Sequence, residues 1–162
     1  MKSALILTLA FTLSSCSVLK QGAGILQPGD DASNIDKIEW SQGGVNSHGA
    51  GHFSSVTFSK DGSAESREET FDHDVPKTGD KVTTSTGRIT PEQFTKLAET
   101  IVKLGFFTKP STGPRTDSSE TITITRGQKE MYLAIMMSDD PDIKAMRDAI
   151  FDLSKSVQWQ DQ

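Results

Sequence analysis

The sequence predicts an α+β fold in which an antiparallel sheet of about four to six strands carries two helices on one face. Three observations predict it. Period-two stretches with β-branched and aromatic residues cluster before residue 90. Two capped segments, opening at Thr90 and Asp140, repeat apolar residues at helical spacing. Between them, a Thr-Ile-Thr-Ile-Thr run is followed by Gly127-Gln128 and a second apolar run, the pattern of a hairpin. The predicted order is strands, helix, hairpin, helix.

Taken along the chain, Lys37–Ser41 is a strand whose Ile38 and Trp40 share one side, and His52–Ser59 places Val56 and Phe58 likewise. The intervening glycine-rich segment, Gly43 to Gly51, reads as a β–β loop. Lys60-Asp61-Gly62-Ser63 is a turn, leading to a polar strand over Ala64–Phe71 and a weaker, Thr-rich one over Val82–Arg88. Thr90 caps the first helix, with Pro91 at its first position, Gln93 completing a capping box and Ile89 able to staple onto Phe94. Phe94, Leu97, Ala98, Ile101, Val102 and Leu104 form its buried stripe, and Gly105 stops it. Glu120–Arg126 and Glu130–Met137 make the hairpin. The second of these strands has apolar residues on both parities, which predicts a central place in the sheet. Asp140 caps the last helix, whose stripe is Ile143, Met146, Ile150, Leu153 and Val157, and Trp159 covers the edge of the core.

The chain starts with a single basic residue, Lys2, and an apolar run from Ala4 to Leu13 that is shorter than the roughly 20 residues a membrane span needs. Leu13-Ser14-Ser15-Cys16 follows. This tetrad resembles the lipobox of bacterial lipoproteins, which implies a signal peptide at residues 1–15, cleavage before Cys16 and acylation (palmitate among the chains) of its thiol. Acyl chains contribute about 0.8 kcal/mol per buried methylene, so two or more make a lasting anchor. Ser17 stands where retention in the inner membrane favours Asp; the resemblance therefore implies an outer-membrane lipoprotein facing the periplasm. Residues 16–36 read as a lipidated N-terminus and flexible tether, and residues 37–162 as one α+β domain.

Loss of the first fifteen residues removes Lys2 alone among the charged residues and takes the net charge from −5 to −6. That acidity argues against nucleic acid as a partner. Cys16 is the only cysteine, so no disulfide is available and burial must carry stability. The chain has no Gly-x-Ser-x-Gly elbow, Ser-x-x-Lys, P-loop or dinucleotide-binding glycine motif, and no cofactor is expected. His48, His52 and His73 offer imidazole donors for a metal-dependent hydrolase, but His48 and His52 are four apart on a glycine-rich segment rather than a helix, so solvated loop residues is the preferred reading. Glu65, Glu68 and Glu69 read as a solvated strand face, and Asp139, Asp140 and Asp142 as a helix start.

Ile38-Glu39-Trp40-Ser41-Gln42-Gly43-Gly44, Lys60-Asp61-Gly62, Ile89-Thr90-Pro91-Glu92-Gln93-Phe94 and Leu104-Gly105-Phe106-Phe107 belong to a span, 38–157, with a further likeness. It resembles a small domain of uncharacterised exported bacterial proteins and of the emfourin-like inhibitors of thermolysin-type metalloproteases. It departs from the inhibitors at Val45-Asn46-Ser47, where they continue Phe-Ala-Gly. The resemblance implies a non-catalytic protein-binding module, with Gly44, Val45, Asn46 and His48 in the partner-binding loop and a protease among the candidate partners. An envelope scaffold or assembly factor is the alternative.

Overall fold

A computed structural model describes residues 30–45, 49–72, 81–109, 120–135 and 139–162. Its elements follow as β1 (Lys37–Val45), β2 (Ala50–Ser59), β3 (Ser63–Asp72), β4 (Lys81–Arg88), α1 (Pro91–Lys103), β5 (Glu120–Arg126), β6 (Lys129–Ala134), α2 (Pro141–Ser156) and β7 (Gln160–Asp161). The strands form one antiparallel sheet in the order β6-β5-β1-β2-β3-β4-β7. The class is the predicted α+β, but the sheet has seven described strands rather than four to six. The short β7 carries no period-two signal, since two residues cannot show one.

Even-numbered residues of β1, β2 and β5 point into the core: Ile38 and Trp40, Val56 and Phe58, Ile122 and Ile124. They meet Phe94, Leu97, Ala98 and Ile101 of α1, and Ile143, Met146 and Ile150 of α2, so both helices cover the same face. α1 starts where β4 ends and leads to Phe107, which packs under Arg126 at the end of β5, 4.4 Å from its guanidinium. α2 returns, and Ser156 at its last turn is 3.5 Å from Gln93 of α1. The two helices are therefore antiparallel across the sheet.

Helix ends follow the sequence closely. Thr90 Oγ1 accepts from Gln93 N–H at 3.2 Å while Gln93 Oε1 accepts from Thr90 N–H at 2.8 Å, the reciprocal capping box. Gly105 takes a left-handed φ of 82°, and its N–H donates to Val102 O, while Phe106 turns back into the core. Asp140 caps α2 by accepting from Asp142 N–H at 2.9 Å. Trp159 is half-buried against the core edge, and its indole N–H donates to Ser154 O at 3.1 Å.

Three expectations need correction. β6 is at the sheet edge, not its centre. Its apolar residues serve two unlike surroundings: Leu133 and Ile135 enter the core, whereas Tyr132 is 37% exposed on the opposite side. The strand buried on both faces is β5, one place in from that edge, where Thr121, Ile122, Thr123 and Ile124 are all buried. The described strand also stops at Ala134, short of Met136 and Met137, which lie outside the described residues.

The glycine-rich segment, second, is mostly strand. β1 continues through Gly43 and Gly44 to Val45, paired with Phe53, His52 and Gly51. Gly51 is required there because Phe71 of β3 lies over it: a Cβ on Gly51 would stand 2.3 Å from the Phe71 ring. An aromatic ring fills the space that composition alone assigns to a loop.

Third, the tether composition of residues 30–36 hides an attached segment. Ile35 is fully buried, Ala32–Asn34 form one 3-10 turn, and Asp30 pairs with Arg126 at 2.8 Å. Asp36 then ties three pieces together at that end of the sheet. Its N–H donates to Thr125 O, its carbonyl accepts from Lys60 N–H, and its carboxylate accepts from Gly127 N–H at 2.6 Å. Residues 1–29, with the signal peptide and Cys16, lie outside the described residues.

Candidate functional site

Odd-numbered residues of β1, β2 and β3 and even-numbered residues of β4 face away from the core, on a surface that neither helix covers. Register sets the side chains in cross-strand rows. One row runs Thr123, Glu39, Thr57, Glu65, Thr86 from β5 to β4, and the next runs Thr121, Ser41, Ser55, Arg67, Thr84. Most of these residues are small. Small side chains in the middle of a twisted sheet leave a depression between larger ones, and here it is a trough of about 1050 Å³ lined by Glu39, Ser55, Thr57, Glu65, Arg67 and Thr86, bordered at one end by Ser156 of α2 and Gln158.

The trough's polar groups are ordered. Ser41 and Thr121 share a hydroxyl–hydroxyl hydrogen bond of 2.8 Å beside it, both nearly fully buried. Arg67 and Glu69 pair at 2.8 Å along β3, and Lys37 and Glu39 at 3.6 Å along β1. Such exposed pairs add about 0–1 kcal/mol each to stability. Their larger effect is to hold charges of both signs at fixed points on the rim. Hydroxyls of Ser55, Thr57, Ser59 and Ser63 supply donors and acceptors across the floor.

At its far end the same face becomes apolar. Phe53 and Phe71 lie beside exposed Val45 and Val82, on four successive strands. This end contains two of the predicted loop residues. Gly44 and Val45 are the last residues of β1, and Val45 is 39% exposed. Asn46 and His48, the other two, lie outside the described residues.

The predicted metal donors fare differently. His52 is exposed on β2, on the helix-bearing side of the sheet, with Nε2 3.3 Å from Ser54 Oγ. His48 and His73 lie outside the described residues, and among the described residues no group of three His, Cys, Asp or Glu side chains is arranged to hold a metal ion. The β3 carboxylates split between the two faces: Glu65 lines the trough, Glu69 shares its face, and Glu68 points the other way. Asp140 and Asp142 instead hold Lys109, at 2.6 and 3.2 Å. The Lys109 ammonium keeps the Asp140 carboxyl below the ordinary carboxylate range. Burial pulls Lys109 down, but its hydrogen bonds to Asp140 and Asp142 outweigh this and its pKa is raised.

On the core side, Trp40 donates its indole N–H to Glu120 Oε1 at 2.7 Å, and Arg147 of α2 stands 3.8 Å from Glu120 Oε2. Phe151 meets the Trp40 ring edge-on with centroids 4.7 Å apart. This cluster locks α2 to β1 and β5, and so supports the trough from beneath.

Sequence reasoning missed the trough because no motif marks it. The available signal was parity: polar Lys37, Glu39 and Ser41 alternate with Ile38 and Trp40, and the same alternation recurs around Val56 and Phe58. Among the described residues no helix is long and apolar enough to cross a membrane. No protein-family model matches the chain, and no curated protein matches it.

Proposed function

We propose that this chain is a lipid-anchored envelope protein, acylated at Cys16, that serves as a non-catalytic module binding another protein. The anchor reading rests on the lipobox resemblance of Leu13-Ser14-Ser15-Cys16. The binding reading is carried by one observation: a hydroxyl-floored trough on the sheet face opposite the helices, which α2 meets only at its last residue, Ser156. Its occupant is an extended polypeptide segment. Peptide N–H and C=O groups find partners on Ser55, Thr57 and Ser59, while Glu39, Glu65, Arg67 and Arg88 select side chains of both charges at the rim. The apolar end at Val45, Phe53 and Val82 takes a hydrophobic anchor residue.

Two experiments test the halves separately. A palmitate analogue should label the native chain and not Cys16→Ser, which should leave the membrane fraction; continued membrane fractionation of Cys16→Ser overturns the anchor. For binding, the chain is used to capture protein from envelope extracts. Ser55→Arg and Thr57→Arg should abolish capture of a given protein that Glu99→Arg, on exposed α1, still captures. Equal capture by all three variants, each with unchanged melting temperature, overturns the trough as the docking surface. Added thermolysin-type protease tests the inhibitory subclass, for which unchanged proteolysis is the contrary result.

A further inference from the structure

We propose that β6 is a pairing edge through which two copies of this chain join their sheets. The inference is independent of the anchor and of the trough, and it begins with an asymmetry between the two sheet edges. At one edge the chain guards itself: β7 pairs with Ser85 and Thr86, and Gln162 N–H donates to Thr84 O at 3.0 Å. At the other edge β6 pairs only with β5 among the described strands.

The hydrogen-bond phase of β6 is set by Ile135, whose N–H donates to Glu120 O at 2.7 Å. Antiparallel partners alternate between pairs that exchange hydrogen bonds and pairs that do not. Leu133 and Met131 therefore face Ile122 and Ile124 with their main-chain groups, and Glu130, Tyr132 and Ala134 turn theirs outward. No hydrogen bond from those outward groups is formed among the described residues.

Natural edges are blunted by mid-strand lysine, proline, a bulge or brevity. β6 has a bulge-free register with β5 and no proline, and its two charges, Lys129 and Glu130, are confined to its first two positions. Met131-Tyr132-Leu133-Ala134 completes it, with Tyr132 one of three exposed large apolar side chains among the described residues. The strand itself is neutral in a chain of net charge −5, so a second copy brings no like charge to this edge.

The occupant follows from side-chain composition. An antiparallel pair with its two-fold axis at Tyr132 sets Tyr132 against Tyr132 of the second copy. Met131 then meets Leu133, and Glu130 meets Ala134. The three middle residues, Met131, Tyr132 and Leu133, meet only one another, the two charges fall at the ends against Ala134 and Ile135, and no charges of one sign oppose each other. A register with its axis at Met131 instead sets both charges against the strand's large apolar side chains, Lys129 against Leu133 and Glu130 against Tyr132, and keeps only Met131 against Met131 as an apolar pair. The two-fold contact is isologous and closed, so it ends at a dimer.

The test uses the chain with Cys16→Ser, which removes lipid-driven association, and measures mass by light scattering over a range of micromolar concentrations. Twice the monomer mass is expected. Tyr132→Pro removes only an outward N–H, which an edge position tolerates, and should give the monomer mass with unchanged circular dichroism and melting temperature. Added as a second change to Cys16→Ser, Tyr132→Cys should oxidise to a covalent dimer, because bonded antiparallel partners lie about 5.5 Å apart at Cα. Thr83→Cys, near the opposite edge, should not. Monomer mass throughout, a dimer that persists in Tyr132→Pro, equal cross-linking at Thr83, or a monomer that takes up an unrelated extended peptide at β6 would each overturn the proposal.

Discussion

Gly87 and Val157 occupy one another's space: a Cβ on Gly87 would stand 2.2 Å from Val157 Cγ1. β4 presents no side chain to the core at this position because the residue that ends α2 fills it. Gly87 thus sets how closely the last helix approaches the sheet, and with it the position from which β7 reaches β4. Replacing Gly87 by Ala should lower unfolding free energy by about 1–3 kcal/mol, the usual range for overpacking. Urea denaturation checks this, and adding Val157→Ala should recover part of the loss.

Lys109 and Asp140 make stability depend on pH at both extremes. The folded Asp140 carboxyl is depressed below 3.8, chiefly by the hydrogen bond from Lys109. Its contribution is therefore present above the unfolded value and lost as pH falls through the folded one. Lys109 is raised above 10.5, burial opposing and the two carboxylates prevailing, so its contribution is present below that value and lost as pH rises further. In Lys109→Met the Asp140 carboxyl should titrate closer to 3.8 by NMR, and the loss of stability on acidification below that pH should be smaller.

The Thr90 cap makes a local prediction. Thr90→Ala removes the acceptor for Gln93 N–H and should cost about 1 kcal/mol, whereas Thr90→Ser restores it. Hydrogen exchange should quicken in the first turn of α1 before it does elsewhere.

Glu120 satisfies a part-buried indole. Glu120→Ala leaves the Trp40 N–H without its acceptor and should cost about 1–3 kcal/mol. Glu120→Gln, which keeps a carbonyl oxygen at the same place, should lose less. Thermal unfolding measures both, with tryptophan fluorescence reporting the change around the ring.

Local grammar was legible wherever neighbouring residues decide the outcome. Thr90, Pro91 and Gln93 start α1, Gly105 stops it, and Asp140 starts α2, each through groups within a few residues. The turn at Gly62 likewise follows from its φ of 85° and from Asp61, whose carboxylate accepts from Ser63. Reading failed where distant residues decide. Nothing near Gly51 announces Phe71, and nothing near Ile35 announces the core that closes over it. Apolar residues on both parities of β6 point to a central strand, whereas the structure sets it at the end of the described sheet with Tyr132 facing outward beside Thr123.

The candidate site shows the same division. Alternation along β1 and β2 marks one polar side for each strand, but the face His52 presents follows only from the pairing of β2 with β1.

The amino-acid sequence by itself determined the helix limits, the turns, the inward residues of β1 and β2 and the lipobox-like tetrad, because each depends on a pattern a few residues long. Only the tertiary structure decided strand order, the place of β6 at the end of the described sheet and the trough on the face opposite the helices. Those depend on which strand lies beside which, and hydrogen-bond register between segments some 80 residues apart, such as Trp40 and Glu120, is recorded in no local pattern.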